Sequence, residues 1–526
     1  MKAFVLCAQI CTFPFAAMAD EAPVIPNFLD ETATSGVTSV YQGEWEFMVG
    51  GGVAAFDCSG DRKPDLYFAG GAGPSTLYRN ASAAGGALKF TPTPSGAEMD
   101  RVTGTYPLDI DGDGILDLVI LRSGENVVMK GQGDCKFIRA NEDWGFDGGD
   151  AWSTAFAATW ERGQDWPTLA IGNYIDRTQD AFPWGTCTPN WLHRPEAAPD
   201  GGRKFAAPLP LTPSFCSLSM LFTDWNRSGT PSLRVSNDRE YYKGGTEQLW
   251  HLDPGATPKP YTSEEGWKPL KIWGMGIASS DVNGDGLPDY FLTSMADSKL
   301  QVVAVGPDKA TFKDIAFALH AIAQRPYVGD DLRPSTGWHA EFEDVNNDGR
   351  QDIFVAKGNV SEMPDFAAKD PNNLMLGQTD GTFAEVGDKA GVASMKVARG
   401  AAVVDLNDDG QLDLVVVNRH EGAELWRNSG EGLGHWVQIA LHQDGANRDG
   451  IGAWIELRTG DKVQTREITS GGGHASGQLG WWHFGLGAAD KAEVRVIWPD
   501  GSTGDWAPVA ADGFYDLAKG KAPAAR

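Results

Sequence analysis

Five short acidic segments recur along the chain with one spacing of oxygen-bearing side chains. Aspartate, asparagine or serine occupies the first, third, fifth and ninth positions of each segment, and an apolar run follows. The side chains are Asp57, Ser59, Asp61 and Asp65; Asp109, Asp111, Asp113 and Asp117; Asp281, Asn283, Asp285 and Asp289; Asp344, Asn346, Asp348 and Asp352; and Asp405, Asn407, Asp409 and Asp413. Alternate positions of a tight loop converge on one point, and hard oxygen ligands of this kind suit Ca²⁺. The spacing therefore predicts about four to five bound calcium ions.

The alternative is that these side chains only cap turns, as aspartate and asparagine do in many β-proteins. Several carboxylates packed together without a cation would repel one another, so the repetition favours calcium. Magnesium fits less well, because it demands a near-ideal octahedron and keeps its waters. Two further copies are degenerate. The first has at its ligand positions Trp160, Arg162, Gln164 and Thr168, and we expect it to bind no ion. The second begins at Asp224 but ends in Ser232, so it lacks one strong ligand.

The seven copies, complete or degenerate, begin at residues 57, 109, 160, 224, 281, 344 and 405 and lie 51 to 64 residues apart. Each unit holds about four short strand-like runs separated by Gly, Asp and Asn turns. Four strands in every ~40–60 residues is typical of a propeller blade, and blades in a ring bury their faces against one another. The repeats therefore predict an all-β fold with a seven-bladed β-propeller in residues 20–430. Residues 27–37 resemble the element that precedes later loops, and we expect them to close the ring by pairing with the last blade.

The acidic loops stop before His435, and alternating apolar and polar runs follow. Period-two patterns between glycine turns indicate antiparallel strands with one buried face. Residues 431–526 are therefore predicted to form a small antiparallel β-sandwich-like domain. Trp481 and Trp482 are adjacent and would face opposite sides of a strand. Because only one of them can enter the domain's own core, we expect the other to dock on the last blade near Trp426. An independently folded domain is the alternative.

Two resemblances follow from these patterns. The pattern D-x-[DN]-x-D-G-x-x-D before an apolar strand resembles the FG-GAP (VCBS-type) repeat of integrin α-chain propellers. Residues 434–505 resemble the ASPIC/UnbV domain through GIGAWIEL from Gly450, REITSGGGHASGQ from Arg466, HFGLG from His483 and VRVIWPDG from Val494. The combination is similar to the cartilage acidic protein 1 family in its bacterial form. This resemblance covers nearly the whole mature chain and implies a propeller followed by a small β-rich domain.

No familiar catalytic signature is present in the sequence, which contains no HExxH, GxSxG or P-loop motif. GGGHASG around His474 lacks the lysine of a P-loop, and Ser476 is misplaced for a nucleophile elbow, so a tight turn is the favoured interpretation. We therefore expect a non-enzymatic adhesion, recognition or scaffolding protein for an extracellular protein or glycan ligand. A carbohydrate-active enzyme on the same fold, a polysaccharide lyase or hydrolase, is the alternative.

The first residues have the features of a Sec-type signal peptide. Lys2 precedes an apolar run, and residues 17–19 offer a small-x-small cleavage site after Ala19. Residues 1–19 are therefore predicted to be removed, which places the mature protein in the periplasm or the medium. No apolar stretch is long enough for a comfortable membrane span. The formal net charge of −27 argues against nucleic acid as a partner.

Four cysteines remain after the predicted cleavage, and an even number in an exported chain favours two disulfides. Cys187 and Cys216 flank a proline-rich insertion that has no repeat pattern of its own. We expect a disulfide between these two residues to hold the insertion in place. A second bridge between Cys58 and Cys135 follows only by exclusion.

Overall fold

The computed structural model describes residues 22–179, 186–199, 201–238, 244–295, 297–322, 336–359 and 370–526. The predicted signal peptide, residues 1–19, and its cleavage site after Ala19 lie outside the described residues. Strands make up 45% of the chain and helices 2%, which confirms the all-β class. The described helices are α1 (Thr32–Ser35) and α2 (Gly387–Ala390), together with a 3₁₀ turn at Trp45–Phe47. None of the helices in the described segments is long and apolar enough to cross a membrane.

Most strands of the described residues belong to seven consecutive antiparallel meanders, which we call units 1 to 7. Strand β1 (Phe28–Asp30) precedes them. Unit 1 contains β2 (Val53–Phe56), β3 (Asp65–Phe68), β4 (Thr76–Asn80) and β5 (Phe90–Pro92). Unit 2 contains β6 (Val102–Leu108), β7 (Asp117–Gly124), β8 (Val127–Gly131) and β9 (Phe137–Arg139). Unit 3 contains β10 (Ala151–Thr159), β11 (Thr168–Asn173), β12 (Asn190–His193) and, after an inserted hairpin of β13 (Pro195–Ala197) and β14 (Arg203–Phe205), β15 (Leu209–Leu211).

The remaining units follow the same plan. Unit 4 contains β16 (Ser217–Thr223), β17 (Ser232–Asn237), β18 (Gln248–His251) and β19 (Lys259–Pro260). Unit 5 contains β20 (Gly274–Ser280), β21 (Asp289–Ser294), β22 (Lys299–Val303) and β23 (Phe312–Asp314). Unit 6 contains β24 (Gly337–Glu343), β25 (Asp352–Lys357), β26 (Asn373–Gly377) and β27 (Phe383–Glu385). Unit 7 contains β28 (Ala398–Val404), β29 (Asp413–Asn418) and β30 (Glu424–Asn428).

The first strands of the units form a closed ring. Each one contacts the first strand of the next unit, and β28 of unit 7 contacts β2 of unit 1. Strand β1 supplies the fourth strand of unit 7 by pairing antiparallel with β30, with Phe28 opposite Asn428 and Asp30 opposite Trp426. This pairing confirms the predicted closure by residues 27–37. Radial four-stranded sheets around a central channel are the β-propeller fold.

Apolar side chains fill the spaces between neighbouring sheets. Strands β6 and β16 are buried along their whole length, because adjacent units cover both of their faces. Between units 1 and 2 the packed side chains include Phe56, Leu118 and Phe137. The outermost strands β5 and β9 are instead exposed at two of their three residues. The rigid inner strands therefore fix the position of the loop that follows each of them.

Both predicted disulfides are present. The Cys187–Cys216 bridge spans the insertion that carries β13 and β14, which confirms the predicted staple. The Cys58–Cys135 bridge joins the loop after β2 to the turn before β9, so it links unit 1 to unit 2. One bridge therefore closes the inserted segment within unit 3, and the other ties two neighbouring units together.

The C-terminal residues form two further sheets of four strands. The strands of this domain are β31 (His435–His442), β32 (Trp454–Thr459), β33 (Lys462–Glu467), β36 (Trp482–Gly487), β37 (Lys491–Ile497), β38 (Ala507–Ala510), β39 (Gly513–Ala518) and β40 (Ala524–Ala525). Ile455, Phe484 and Val494 pack between the sheets β36–β31–β39–β40 and β33–β32–β37–β38. The prediction of a wholly antiparallel domain is wrong for the first sheet, in which β31 and β39 pair parallel. A parallel pair needs a crossover connection, and here the chain crosses through the second sheet before it returns.

Candidate metal loops and the filled channel

The five predicted metal loops join the first and second strands of units 1, 2, 5, 6 and 7, so they all lie at one end of the ring. We call this end the loop face and name each loop by its unit. The carboxylate at position one accepts the backbone N–H of position six in all five loops. Position five likewise accepts the N–H of position seven. Position nine accepts the N–H of position two. The loops are therefore preformed turns with one shared geometry.

Turn capping does not exclude cation binding, because a carboxylate has lone pairs left after it has accepted a backbone N–H. Loop 5 shows this most clearly. Asp289 is fully buried, and its Oδ1 has no hydrogen-bond partner, whereas its Oδ2 accepts the N–H of Val282 at 3.0 Å. Burial, together with the carboxylates of Asp285 and Asp281, raises the pKa of Asp289 to about 8. No cationic side chain in the described part of the chain pairs with these three aspartates.

Loop 7 likewise has an unpartnered oxygen and closely spaced carboxylates. The Oδ1 of Asn407 is buried without a partner, and its Nδ2 donates to Asp409 at 3.1 Å. Burial, with the nearby Asp409, raises the pKa of Asp405 to about 7. Burial, with the carboxylates of Asp405 and Asp409, raises the pKa of Asp413 well above its usual range. An all-oxygen donor set with unsatisfied oxygens at ligand positions fits a hard divalent cation.

Loop 2 brings its carboxylates closest together but also supplies a cation of its own. Oxygens of Asp109, Asp111 and Asp117 lie within 4.8 Å of one another. Lys130 on β8 forms ion pairs with Asp111 and, at 2.8 Å, with Asp113. The loop sequence alone could not show this neutralisation, because Lys130 lies on the third strand of the unit. Its ammonium group therefore competes with a metal ion for the same carboxylates.

Loops 1 and 6 lie between these extremes. Arg350 pairs with Asp348 in loop 6, and Lys462 of the C-terminal domain lies close enough to lower the pKa of Asp348 against the larger effect of burial. In loop 1, Lys63 approaches Asp61 at 3.7 Å. Both loops keep their oxygen donors but carry a positive charge at the rim.

Units 3 and 4 depart from the metal-loop geometry. Asp224 keeps the role of position one and accepts the N–H of Gly229 at 2.8 Å, but Ser232 brings no carboxylate to position nine. In unit 3, Trp160 occupies position one and packs against the cores of both the propeller and the C-terminal domain. Neither of these loops, both of which are described, gathers the acids that a calcium ion needs.

The C-terminal domain lies on the loop face and forms hydrogen bonds to the same backbone atom of several loops, the carbonyl oxygen of position six. Position six has a positive φ in every complete loop, 71° at Arg62 and 77–88° at the four glycines. Trp481 Nε1 donates to the carbonyl oxygen of Arg62 at 3.0 Å. Arg448 and Lys462 donate to the equivalent carbonyls of loops 2 and 6. Three loops are therefore bound directly by the C-terminal domain through the same position.

The other two complete loops are reached through an intermediate side chain. Arg227 donates to the position-six carbonyl of loop 5 at 3.2 Å and pairs with Glu456 of the C-terminal domain at 2.9 Å. Asn347 donates to the position-six carbonyl of loop 7 at 3.2 Å and forms a hydrogen bond with His483 of the C-terminal domain at 2.7 Å. The C-terminal domain thus contacts all five complete loops, directly or through one residue.

Trp481 and Trp482 face opposite sides, as predicted, because Trp482 packs in the core of its own domain. The predicted contact with Trp426 is wrong. Trp426 is buried in the core that units 6 and 7 share, where β1 covers its strand, whereas Trp481 binds loop 1 of the first unit. The C-terminal domain therefore covers the loop face rather than the last blade.

Residues 470–479, which we call the channel segment, leave the C-terminal domain and enter the central channel. Strand β34 (Ser470–Gly471) pairs with β10, with Gly471 opposite Ala157. Strand β35 (Gly477–Leu479) runs parallel to β2 of unit 1. Between these two strands lies His474, whose Nε2 accepts the N–H of Gly50 at 3.1 Å. The expected tight turn at GGGHASG is therefore part of an insertion into the channel of the propeller.

All seven units contact the channel segment. Besides units 1 and 3, units 2, 4 and 5 bond to it through the backbones of Thr105, Met220 and Ile277. His339 of unit 6 accepts the N–H of His474 at 3.1 Å. In unit 7 a Cβ on Gly400 would lie 2.4 Å from Ser476 Oγ. The segment therefore fills most of the space that the ring would otherwise enclose and leaves a cavity of about 90 Å³ beside it.

Glycines of the inner strands make this close approach possible. A Cβ on Gly52 would lie 1.8 Å from the carbonyl oxygen of Ala475, and one on Gly104 would lie 2.7 Å from the same atom. Gly276 and Gly400 hold equivalent positions in units 5 and 7. The small residues that precede the acidic loops, as in GGVAAF, GIASS and RGAAVV, are the sequence signal that could have revealed the insertion.

His474 is a neutral imidazole. Burial, with the charge of Arg399 and the nearby His339, lowers its pKa to about 3. Its Nδ1 lies 3.2 Å from the carbonyl oxygen of Leu218, so we assign the proton to Nδ1. The ring packs against Trp338, which belongs to an apolar cluster with Trp152 at the far end of the channel. The channel is therefore filled from the loop face by the insertion and from the opposite face by large apolar side chains.

Comparison with known proteins gives two family matches. The model described as ASPIC and UnbV matches residues 443–524, and the model described as FG-GAP-like repeat matches residues 57–120 and 344–416. No curated protein matches the chain.

Several solved structures are similar at low identity. The BBS1N chain of a complex with ARL6DN has 8% identity and a TM-score of 0.42, with 77% of this chain and 97% of that chain covered. A lectin from Agrocybe aegerita, described as recognising non-reducing terminal N-acetylglucosamine, has 18% identity and a TM-score of 0.40, with 69% and 88% covered. A Trypanosoma rangeli sialidase has 10% identity and a TM-score of 0.34, with 66% and 57% covered. The two family matches show that the chain joins FG-GAP-like repeats to a C-terminal ASPIC and UnbV domain.

Proposed function

We propose that this protein is an exported, calcium-stabilised β-propeller that recognises or scaffolds an extracellular protein or glycan and catalyses no reaction. The filled channel supports this proposal. Ligand and catalytic sites are usually open concave pockets with a few convergent polar groups. Here the channel segment occupies the ring axis, so recognition falls to the outer loops and to clefts beside the C-terminal domain.

The polar groups inside the channel bond to the insertion, and the cavity left beside His339 and Glu341 has a volume of about 90 Å³, well below the roughly 300–1,000 Å³ of ligand pockets. His339 uses one ring nitrogen for the N–H of His474 and approaches Glu341 at 3.3 Å with the other. The other oxygen of Glu341 accepts a hydrogen bond from Gln478. A general acid or base must reach a proton of its substrate, and these groups already have partners within the chain. This arrangement favours the binding function over a lyase or hydrolase.

We also propose that loops 1, 2, 5, 6 and 7 hold calcium through positions one, three, five and nine, with loops 5 and 7 as the strongest sites. Bound Ca²⁺ supplies positive charge to buried carboxylates and links the first two strands of a unit. The unpartnered oxygens of Asp289 and Asn407 are the observation that supports it. We expect about four to five ions with dissociation constants on the order of 10⁻⁴–10⁻³ M or tighter, as in extracellular modules.

Elemental analysis of the purified mature protein after equilibration with calcium would count these ions directly. Asp285→Ala should remove one ion and leave the other sites occupied, with Asp380→Ala, an exposed acid of unit 6, as the control. If the protein holds no calcium after equilibration, and EDTA changes neither its melting temperature nor its calcium content, the loops are turns only. Binding to immobilised extracellular glycans and proteins without release of cleaved product supports the recognition function. Cleavage of a polysaccharide would contradict it.

Export has a separate test. N-terminal sequencing of the protein recovered from the periplasm or the medium should begin at Asp20. Recovery of the uncleaved chain from the cytoplasm alone would contradict this part of the proposal.

A further inference from the structure

The two units without complete metal loops border a cleft against the C-terminal domain. This cleft has a volume of about 560 Å³. Trp160, Arg162 and Ser228 line it on the propeller side, and Trp454, Glu467 and Pro499 line it on the other side. Arg162, Gly229 and Gly501 at its rim are exposed, so the cleft opens to solvent. Ligand pockets of about 300–1,000 Å³ occur preferentially at domain interfaces, and this cleft meets both conditions.

The polar groups of this cleft are not all satisfied within the chain. Arg162 forms no ion pair or hydrogen bond with any described residue, although its guanidinium carries several donors. The indole N–H groups of Trp160 and Trp454 also lack partners. Glu467 accepts the N–H of Asp224 and the hydroxyl of Thr223, both at 2.7 Å, and each oxygen keeps a further lone pair. Burial raises the pKa of Glu467 to about 8. The cleft therefore combines indole rings, a free guanidinium and a carboxyl group.

A second cavity between the domains provides a contrast. It has a volume of about 380 Å³ and lies beside loops 1 and 2. Both of its arginines pair with aspartates of the same cavity, Arg62 with Asp516 at 2.6 Å and Arg448 with Asp449 at 2.9 Å. Charges that already bond to each other give a ligand little to bind. The cleft at units 3 and 4 differs because one of its two guanidinium groups, that of Arg162, is unpaired, whereas Arg227 pairs with Glu456.

We propose that the cleft between units 3 and 4 and the C-terminal domain binds a saccharide unit. A pyranose ring presents apolar C–H faces that pack on indole rings, and hydroxyl groups that need both donors and acceptors. Trp160 provides the aromatic surface, Arg162 the donors and Glu467 and Ser228 the acceptors. The loss of metal ligands in these two units is then the replacement of one kind of site by another. This inference rests on the proposed recognition function and names the ligand class for it.

The test uses the full mature chain in calcium and short oligosaccharides in solution, one neutral set and one set of uronic acids. Calorimetry and tryptophan fluorescence would follow binding. Arg162→Met removes an exposed side chain that has no partner, so the fold should be unaffected. Trp160→Phe keeps an aromatic ring at the site in case a smaller residue prevents folding. We expect each variant to bind about tenfold more weakly, the equivalent of one charge-assisted hydrogen bond or ring contact. Arg139→Met, which removes an exposed arginine of unit 2 that pairs with Glu125, is the control for the loss of a surface positive charge.

The outcomes separate this inference from the proposed function. Binding that both cleft variants weaken and the control does not would support the site, and the set that binds would show whether Arg162 recognises a hydroxyl or a carboxylate. Binding that neither cleft variant changes would overturn the site and leave glycan recognition in place elsewhere. If neither oligosaccharide set binds, the assignment of a saccharide ligand is wrong, while binding of a protein ligand would still agree with the recognition function.

Discussion

Replacing Asp289 with asparagine tests the central physical claim about the loops, which is that they concentrate negative charge for a cation. The side chain keeps its shape but loses its charge. The amide can replace the carboxylate oxygen Oδ1 without breaking a hydrogen bond, because that oxygen has no donor in the wild type. Without metal, burial with Asp285 and Asp281 raises the pKa of Asp289 from 3.8 to about 8. The folded state then holds a proton that the unfolded chain has lost. The calcium-free protein should therefore lose stability as the pH rises from about 4 towards 8.

The magnitude follows from the size of that shift. At pH 7 the burial of this carboxyl group costs on the order of 2–4 kcal/mol, since each pKa unit corresponds to about 1.4 kcal/mol. A chain of this length unfolds with an entropy near 1 kcal/mol/K, so 1 kcal/mol moves the melting temperature by about 1 °C. We expect the chelated Asp289→Asn protein to melt about 2–4 °C above the chelated wild type. Its stability should also depend less on pH between 4 and 8.

Calcium should reverse part of this gain. One site with a dissociation constant on the order of 10⁻⁴–10⁻³ M contributes about 0.7–1.8 kcal/mol at roughly 2 mM calcium. The variant should therefore gain about 1–2 °C less from calcium than the wild type does. Calorimetric melting with EDTA and with calcium measures both numbers, with Asp380→Asn as an exposed control. A calcium-dependent gain equal in wild type and variant would refute the reasoning, whatever happens in EDTA.

Three further predictions concern the positive charge beside loop 2, the channel segment and the interface between the loops and the C-terminal domain. Lys130→Met should raise the calcium affinity of loop 2 about five- to tenfold, because repulsion from an ammonium group next to the ligands weakens cation binding by more than about 1 kcal/mol. Calorimetry measures this affinity, with Lys136→Met as the control. Gly52→Val should displace the channel segment, because a Cβ there would lie 1.8 Å from Ala475 O. Hydrogen exchange should then lose protection at residues 470–479, with Gly422→Ala, which has open space around it, as control. Chelation should speed exchange in the same residues of the wild type, because the loops proposed to bind calcium also hold the C-terminal domain. Unchanged exchange after complete metal removal would show that the two are independent.

The fold could be read from the sequence largely because its information is local and repeated. Each acidic loop marks the turn between two buried strands, and the hydrogen bonds of position one and position nine show why aspartate is needed there even as a capping residue. The pairing of β1 with β30 was visible because residues 27–37 resemble later units. The two disulfides followed from cysteine number and from the insertion between Cys187 and Cys216.

Contacts between distant segments could not be read in this way. Lys130 reaches its aspartates from another strand, and Trp481 reaches Arg62 across more than 400 positions of sequence. Nothing near either residue in the sequence marks its partner. The channel segment is the strongest example, because GGGHASG has the local properties of a turn and gains its role only from the ring that surrounds it. The glycines of that ring carried the signal, but alanine and glycine before a loop also suit ordinary close packing of inner strands.

In the acidic loops, the proposed metal ligands and the contact with the C-terminal domain lie on neighbouring residues. The carboxylate of position one holds the N–H of position six, and the carbonyl of position six accepts a bond from the C-terminal side. The same peptide segment is therefore fixed from inside by the proposed metal ligands and from outside by the domain that inserts into the channel. A cation that orders the side chain at position five should also order the carbonyl at position six, because these two residues are adjacent in a turn with a positive φ at position six. In loops 1, 2 and 6 the proposed calcium ligands and the acceptor of the C-terminal domain's hydrogen bond therefore lie within one short turn.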